Sequence, residues 1–363
     1  MKKKIAHLLL EDGKKYEAYH FGAPISSSGE VVFNTSMTGY VESLTDPSYF
    51  GQILLFTYPS IGNYGVPISP LSKKLISRFY ESNKVHVSGL LVSDYYHNPF
   101  NGKMFKNLSN WLKEYKVPGL YGLDTRCLTK ILRKRGTMLG KILFYEKNIP
   151  FFDSSKENLI SIKEKIIYGN GRYKILLVDC GVKNNILRCL LRRNCSIIRV
   201  PCNYDFTKEK DYDGIFLSNG PGNPKVYQET ILHLRKALKW NKPIFGLCLG
   251  HQLLGVASGS VTRKLKYGHR SYNQPVLMSA TTKAYITSQN HSYVIDSKII
   301  PDQWKIFFKN LNDQSCEGII HEKKPFFSVQ FHPEAFGGTN DTEFLFDYFI
   351  DLIKSEKVRS HEN

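Results

Sequence analysis

One short stretch, G-L-C-L-G-H-Q at residues 246–252, constrains the fold around it more than any other part of this sequence. Its cysteine stands between two glycines, after an apolar run and before a helix-like one. This is the thiol version of the nucleophile elbow, a sharp turn from a buried strand into a helix. The helix N-terminus favours thiolate over thiol at Cys248. The stretch therefore predicts a strand, a turn and a helix, with Cys248 placed to attack a carbonyl carbon.

From residue 173 onward, apolar strand-like runs alternate with amphipathic helical patterns. Strands are predicted at 173–179, 196–200, 213–217 and 243–247, and helices at 184–193 and 227–240. This alternation indicates βαβ units, and therefore an α/β domain with a mostly parallel sheet and helices on both faces. Reactive groups collect beyond the carboxyl ends of the strands in such sheets. We therefore expect the chemistry in the loops after 217 and 247.

The first half of the chain has a different character. Short β-like runs at 30–34, 52–57 and 86–92 are separated by Gly, Pro and Ser turns. One clear helix follows Asp124, a residue type that suits an N-cap. Three parts are predicted: a smaller β-rich α/β domain at 1–152, a connecting segment at 153–172, and the α/β domain at 173–359.

A second chemical group, His332-Pro333-Glu334, stands at the end of another apolar run. A thiolate nucleophile needs an acid–base partner that protonates the leaving group and later activates water. Glu334 is close enough in sequence to orient the imidazole, so Cys248, His332 and Glu334 form a candidate triad. An isolated H-P-E is more often an ordinary loop, and His251 is a rival base. The elbow upstream favours His332, and His251 is interpreted as a packing residue.

A second glycine-rich loop, S-N-G-P-G-N-P at 218–224, follows the predicted strand at 213–217. Alternating Gly and Pro give a rigid turn with exposed N–H groups, which suits an oxyanion hole but also a plain strand-to-helix connection. Leu249, directly after the nucleophile, would offer a second N–H. The sequence holds no P-loop pattern and no C-x-x-C pair, so it predicts neither a nucleotide site nor a metal site in this chain.

The composition bears on the class of partner and on the cellular location. The net charge is +18, yet the basic residues are spread along the chain without a nucleic-acid-binding signature, which disfavours a nucleic-acid partner. The seven cysteines are scattered, and this pattern predicts a reducing, cytoplasmic location. No apolar run approaches the length of a membrane span, so no membrane association is expected.

Three motifs occur in order along the second half: S-N-G-P-G-N-P, G-L-C-L-G-H-Q and F-H-P-E. Together they resemble the class I glutamine amidotransferase (triad) family, in which the cysteine attacks the side-chain amide of glutamine. That attack releases ammonia and leaves a γ-glutamyl thioester that water cleaves. The first half is similar to the carbamoyl-phosphate synthetase small chain, through V-F-N-T-S-M-T-G-Y at 32–40, E-S-L-T-D-P-S-Y at 42–49 and G-L-D-T-R at 122–126.

The resemblance implies catalytic roles for the triad and a set of glutamine-binding residues. These binding residues are Ser48, Gly220, Gly222, Leu249, Gln252, Asn290, Ser292 and Tyr293. Ser48 belongs to the first domain, so the pocket would lie where the two domains meet. The chain departs from the family at Ser271 and Ser292, where members commonly have Gly.

The resemblance also implies a partner. The chain would pass ammonia from L-glutamine to a large synthetase subunit, which makes carbamoyl phosphate from bicarbonate and two molecules of ATP for arginine and pyrimidine biosynthesis. ATP and a divalent metal would bind that subunit, and no cofactor is expected in this chain. The first domain would be the docking surface of the heterodimer, and a higher oligomer of heterodimers stays open.

Two alternatives remain at this stage. One is the glutaminase subunit of another synthase, such as the anthranilate type, against which the first domain argues. The other is a non-catalytic scaffold, against which the intact triad of Cys248, His332 and Glu334 argues.

Overall fold

The structure, a computed structural model, describes residues 5–68, 76–97, 105–144, 149–153, 160–335 and 337–362. The chain forms two compact units, Met1–Asn158 and Leu159–Asn363. Part of the predicted connecting segment, 154–159, lies outside the described residues, and Ile166–Tyr168 within it forms a strand. The domain boundaries at 152 and 173 stay predictions. No helix in the described ranges is long and apolar enough to span a bilayer.

The first unit is built around a barrel. Its strands are β1 (Ile5–Leu10), β2 (Lys15–Gly22), β3 (Ser27–Asn34), β4 (Gln52–Phe56), β5 (Val66–Pro67), β6 (Gly89–Leu91), β7 (Phe105–Lys106), β8 (Pro118–Tyr121) and β9 (Met138–Leu143). Its helices are α1 (Tyr40–Thr45), α2 (Leu108–Glu114) and α3 (Thr125–Arg135). Within the described residues, seven strands close the barrel in the order β1-β2-β8-β6-β4-β3-β9. Because β9 pairs with β1, the backbone N–H and C=O groups at the two edges of this sheet hydrogen-bond to each other.

The predicted features of the first half are found in this unit. The runs at 30–34, 52–57 and 86–92 overlap β3, β4 and β6, which are parallel neighbours in the barrel. Asp124 is the N-cap of α3, because its carboxylate accepts a 2.8 Å hydrogen bond from the Cys127 N–H. The β-rich character of the first half is therefore confirmed.

The second unit contains a large mixed sheet. Its strands are β10 (Ile166–Tyr168), β11 (Tyr173–Asp179), β12 (Cys195–Pro201), β13 (Gly214–Leu217), β14 (Ile244–Leu247), β15 (Thr262–Met278), β16 (Ala284–Ile295), β17 (Trp304–Asn310), β18 (Cys316–His321) and β19 (Phe326–Val329). Its helices are α4 (Asn184–Arg192), α5 (Gln228–Ala237), α6 (Leu249–Ser258) and α7 (Phe344–Glu362). In the described part of the unit, ten strands follow the order β10-β12-β11-β13-β14-β19-β18-β17-β15-β16.

The parallel part of this sheet carries the elbow. β12, β11, β13, β14 and β19 are parallel neighbours. Antiparallel strands extend the sheet at both sides, β10 at one and β18, β17, β15 and β16 at the other. The predicted α/β class is confirmed. The register pairs Leu247 with Val329, so the ends of β14 and β19 reach the same edge of the sheet.

Helices cover both faces of the parallel strands, because successive side chains of a strand point to opposite sides. On β14, Ile244 belongs to a buried core that includes Leu253 of α6. The next side chain, Phe245, packs on the other face against Phe346 and Phe349 of α7, each with ring centroids 5.7 Å away. The strand that precedes the elbow is thus fixed from both sides.

Truncation of Phe245 tests this packing. Phe245 is fully buried and stacks on Phe327 of β19 with ring centroids 4.4 Å apart. Phe245→Ala should therefore lower the free energy of unfolding by about 3–5 kcal/mol, measured by urea denaturation of the full chain. The control is Leu232→Ala on α5, where the side chain is 52% exposed and the expected change is below about 0.5 kcal/mol. Equal changes in the two variants would contradict the prediction.

Candidate active site

Cys248 lies at the turn between β14 and α6, where its backbone is strained. Its φ of 54° and ψ of −102° are values that a residue with a side chain adopts at an energetic cost. The flanking glycines are required for space: a Cβ on Gly246 would lie 2.6 Å from Gly250 O, and a Cβ on Gly250 would lie 2.2 Å from Leu217 O. The predicted strand, turn and helix are confirmed.

The Cys248 sulfur lies near a hydrogen-bond acceptor, Asn290 O, and a hydrogen-bond donor, Gln330 Nε2. Its Sγ lies 3.7 Å from the backbone oxygen of Asn290 in β16, and 3.7 Å from Nε2 of Gln330, the residue after β19. The Cys248 N–H donates to Val329 O at 2.9 Å, which fixes the elbow to the end of β19. Asn290 was among the residues singled out from the sequence, and Gln330 was not.

His332 and Glu334 follow β19 and pair with each other in the interior. His332 Nδ1 lies 2.7 Å from Glu334 Oε1, and the two side chains are 3% and 0% exposed. The backbone N–H of His332 donates to Ser288 O at 2.9 Å, which holds this loop against β16. His332 Nε2 is buried and has no hydrogen-bond partner within the described ranges. The ring is therefore held through Nδ1, and Nε2 is left for proton transfer.

A buried lysine that the sequence analysis missed completes this pair. Lys183 Nζ donates to Glu334 Oε1 at 2.9 Å. Lys183 directly precedes α4, and its backbone N–H donates to Asn219 Oδ1 at 3.1 Å, so the loop at 218–224 helps to position it. The Asn185 side-chain amide donates to the backbone oxygen of Glu334. The available signal was position, since Lys183 follows the carboxyl end of β11 at the functional edge of the sheet.

These ion pairs set the protonation of the site. Burial and the positive charge of Lys183 lower the pKa of His332, whereas the Glu334 carboxylate and Cys248 raise it. The raising effects are larger, and the pKa of His332 is raised to about 10. Burial likewise opposes ionisation of Glu334, but Lys183 and His332 lower its pKa to about 2. At neutral pH, His332 is therefore an imidazolium paired with a carboxylate.

His251, the rival base, is in a different environment. It is fully buried on the first turn of α6, and its Nδ1 lies 2.8 Å from Ser328 Oγ in β19. Burial lowers the pKa of His251 to about 3, so its ring is neutral. This placement agrees with its interpretation as a packing residue.

The loop at 218–224 lies beside the elbow. The Gly250 N–H donates to the carbonyl of the first loop residue at 3.0 Å. A Cβ on Gly220 would lie 2.0 Å from a backbone oxygen of the neighbouring loop and 2.9 Å from Leu249 Cδ2, so only glycine fits there. Gly222 has a φ of 87°, in the left-handed region that favours glycine. The structure thus brings Gly220 and Leu249 together.

Gln252 connects α6 to the strands on which the other predicted residues lie. Its Nε2 donates to Tyr293 O at 2.8 Å and to Gln330 Oε1 at 3.1 Å. Tyr293 takes part through its backbone oxygen. The hydroxyl of Ser292, one of the departures from the family, accepts a hydrogen bond from Arg270 Nη2 at 2.5 Å. Gln252, Ser292 and Tyr293 are therefore anchored by protein groups in this structure.

Two other residues from the sequence analysis have local hydrogen-bond partners. Ser48 is in the first unit, where its N–H donates to Asp46 Oδ1 at 2.9 Å. Its expected role in glutamine binding stays a prediction. Ser271, the other departure from the family, accepts a 2.9 Å hydrogen bond from Gln274 Nε2 through its hydroxyl.

A second polar cluster is the strongest metal-site candidate in the described part of the chain. His269, His291 and Glu317 place three ligand-type atoms within 4.8 Å of one another. Gln289 Oε1 lies 3.0 Å from a ring nitrogen of both His269 and His291, and the other His269 nitrogen lies 3.0 Å from Asp313 Oδ2. Burial opposes charge on His269, but Asp313 and Glu317 raise its pKa to about 9. These protein partners engage the atoms that a metal ion would need.

Comparisons with known proteins cover both halves. Residues 8–142 match the family model "Carbamoyl-phosphate synthase small chain, CPSase domain", and residues 176–352 match "Glutamine amidotransferase class-I". The chain is 48% identical to "Carbamoyl-phosphate synthase [ammonia], mitochondrial" of Homo sapiens over 99% of this chain and 24% of that protein. It is 44% identical to "Multifunctional protein CAD" of Squalus acanthias, over 98% of this chain and 16% of that protein.

The chain thus spans at most about a quarter of the length of these curated relatives. The two family models fall in order on the two compact units, the small-chain model on the first and the amidotransferase model on the second. The motifs at the elbow, at 218–224 and at 332–334 lie within the second match. The chain belongs to the carbamoyl-phosphate synthase small-chain family, with a class I glutamine amidotransferase domain as its second half.

Proposed function

We propose that this chain is the glutaminase part of a glutamine-hydrolysing carbamoyl-phosphate synthetase. One observation carries the proposal: Cys248 at the elbow after β14 and the His332–Glu334 pair after β19 share one edge of the sheet. A strained turn, an imidazolium and a carboxylate at such an edge are what an acyl-transfer reaction through a thioester requires. The substrate would be L-glutamine.

The first half of the proposed reaction forms the thioester. The Cys248 thiolate attacks the side-chain amide carbon of glutamine, and negative charge develops on the amide oxygen. The N–H of Leu249 and the loop at Gly220 would stabilise that oxyanion. The close approach of Gly220 to Leu249 supports this role. His332 then gives the proton on Nε2 to the leaving nitrogen, and ammonia departs as the C–N bond breaks.

The second half returns the enzyme to its starting state. Neutral His332 accepts a proton from water through Nε2 while the water oxygen attacks the thioester carbon. The C–S bond breaks, the product leaves with the second water proton on its new carboxyl group and ionises to glutamate in solvent, and Cys248 is again a thiolate beside an imidazolium. Glu334, which accepts from Lys183 at 2.9 Å, also holds Nδ1 of the His332 ring. Nε2 is therefore the nitrogen that transfers the proton in both halves of the reaction.

Glutamine binding is proposed for the set that the resemblance implied. Its members are Ser48, Gly220, Gly222, Leu249, Gln252, Asn290, Ser292 and Tyr293. Contacts around the elbow support Gly220, Leu249 and Asn290, which lie beside Cys248 or its neighbour. Gln252 is supported by its position in α6, the helix that begins directly after the nucleophile.

A large synthetase subunit, or a fused synthetase region, is the proposed partner. The small-chain match at 8–142 supports this, as do relatives several times longer than this chain. ATP, bicarbonate and a divalent metal would bind in that partner, and carbamoyl phosphate would serve arginine and pyrimidine biosynthesis. A cytoplasmic location stays a prediction, since the relative from Homo sapiens is named as mitochondrial.

The names of the relatives favour a second candidate function. Several are called carbamoyl-phosphate synthase [ammonia], so a chain of this family could support synthesis without hydrolysing glutamine. The assembled Cys248, His332 and Glu334 favour hydrolysis instead. The small-chain match also argues against the anthranilate-type alternative.

Replacement of the nucleophile tests the proposed function. In the complex with its synthetase partner, Cys248→Ser should lower glutamine-dependent carbamoyl phosphate synthesis by at least about 10³-fold, while ammonia-dependent synthesis persists. Cys127→Ser, at an exposed cysteine of α3, should leave both activities unchanged. Equal loss of both activities in Cys248→Ser would contradict the prediction.

Chemical labelling separates hydrolysis from the second candidate. A diazo-ketone analogue of glutamine should modify Cys248 alone among the seven cysteines, and excess glutamine should block the reaction. Peptide mass mapping of the full chain gives the modified residue. Labelling spread over several cysteines, unaffected by glutamine, would favour a chain that does not hydrolyse glutamine.

The His332–Glu334 pair predicts a pH dependence of stability. Burial opposes the charge on His332, but Glu334 and Cys248 outweigh it and raise the pKa of His332 from 6.5 to about 10. The pair therefore stabilises the fold fully between pH 4.5, the ordinary pKa of Glu334, and pH 6.5, and loses this effect as pH rises through about 10. Glu334→Gln should therefore cost about 3–5 kcal/mol of unfolding free energy near pH 6 and progressively less towards pH 10. Urea denaturation across this range measures the difference.

A matched control for this variant is Glu343→Gln, which removes a carboxylate that pairs with Arg192 and Arg193 outside the site. Its difference from the wild type should not narrow between pH 6 and pH 10, because arginine stays charged throughout. A constant difference for Glu334→Gln over the same range would show that the pair does not titrate as described.

A further inference from the structure

We propose that Gln330 is a further catalytic residue, whose side-chain N–H stabilises the thiolate of Cys248. This inference rests on the proposed function and deepens it. Gln330 is fully buried, and its Nε2 lies 3.7 Å from Cys248 Sγ, the reacting atom. Sequence reasoning passed over it because a glutamine inside an apolar run carries no chemical signature of its own.

The orientation of the Gln330 amide follows from its neighbours. An amide presents an oxygen at one end and an NH₂ group at the other, so the partners decide which end contacts the sulfur. Gln252 Nε2 lies 2.8 Å from Tyr293 O, a carbonyl that only accepts, so this end of Gln252 is the donor. The same Nε2 lies 3.1 Å from the Gln330 side chain, which therefore presents Oε1 to Gln252 and Nε2 to Cys248.

The backbone of Gln330 is held as firmly as its side chain. Its N–H donates to Glu317 O at 2.9 Å, which continues the pairing of β18 with β19. The Gln330 side chain is closed off from bulk solvent, and the low local dielectric strengthens the interaction of its N–H with the sulfur. Gln330 Nε2 is thus a fixed donor, present before the reaction begins.

Asn290 O and Gln330 Nε2 favour opposite protonation states of the sulfur. Asn290 O, 3.7 Å away, accepts from an S–H group but repels a thiolate. The ion pair forms when the thiol proton passes to Nε2 of a neutral His332, and the S–H electron pair then stays on sulfur beside the imidazolium. The Gln330 N–H then offers the bare sulfur a charge-assisted hydrogen bond that offsets Asn290 O. Gln330 therefore acts on the thiolate, the state that attacks the substrate.

Two substitutions separate this role from packing. Gln330→Met keeps an unbranched side chain of similar volume but removes the donor. Gln330→Glu keeps the shape but places a carboxylate oxygen against the sulfur. If Gln330 stabilises the thiolate, both variants disfavour it, and the carboxylate does so more strongly.

The test is alkylation of Cys248 by iodoacetamide in the full chain, as a function of pH, followed by peptide mass mapping. A thiolate reacts and a thiol does not, so the midpoint of the profile reports on the thiolate without any need for glutamine. We expect Gln330→Met to move the midpoint upward by about one pH unit or more, and Gln330→Glu to move it further. Gln303→Met, at an exposed glutamine far along the chain from the elbow, should keep the wild-type midpoint.

Glutamine hydrolysis by the same variants completes the test. A loss of about tenfold or more in kcat near pH 7, with a smaller change in KM, is expected for Gln330→Met. Midpoints unchanged in both folded variants, as checked by urea denaturation, would overturn the role of Gln330. Shifted midpoints in a chain whose wild type hydrolyses no glutamine would instead overturn the proposed function and leave the Gln330–Cys248 interaction standing.

Discussion

The rest of the site depends on the buried carboxylate of Glu334. It accepts from His332 at 2.7 Å and from Lys183 at 2.9 Å, two cationic groups that belong to widely separated parts of the chain. A side chain stays charged in a protein interior only when interactions with such partners offset the free energy lost on dehydration. Without this carboxylate, burial would drive His332 to its neutral form and leave Lys183 as an uncompensated charge. The carboxylate therefore fixes both the position and the protonation of the imidazole.

The sheet explains how these groups meet. Because β14 and β19 are parallel neighbours, the residues that follow them emerge at one edge, and these residues are Cys248 and His332. β11 brings the loop before α4 to the same edge, with Lys183 at its end. The antiparallel strand β16 contributes Asn290 and holds the backbone of His332 through Ser288 O. Cys248, His332, Lys183 and Asn290 thus lie on or shortly after four different strands, and the order of these strands in the sheet brings the four residues together.

The sequence allowed prediction of those features that have a local pattern. The elbow, β11, α4 and the Asp124 cap follow from glycine spacing, apolar periodicity and capping chemistry within a few residues. β15 to β18 have no such clear pattern, because β15 carries charges along its length and changes register twice against β16. Lys183 and Gln330 were missed for a related reason. Their partners lie 151 and 82 positions away in the sequence, and only the folded chain brings them together.

The two cations and the carboxylate have a further consequence when Cys248 is included. In the resting state that the proposed reaction requires, Lys183 and the His332 imidazolium carry two positive charges, and Glu334 and the Cys248 thiolate carry two negative ones, so the buried quartet is neutral. In the proposed reaction, thioester formation removes the thiolate, and the same event removes the imidazolium proton with the departing nitrogen. Hydrolysis restores both together. The cycle is therefore electroneutral at every resting point, and the nitrogen leaves the site as uncharged ammonia rather than as ammonium.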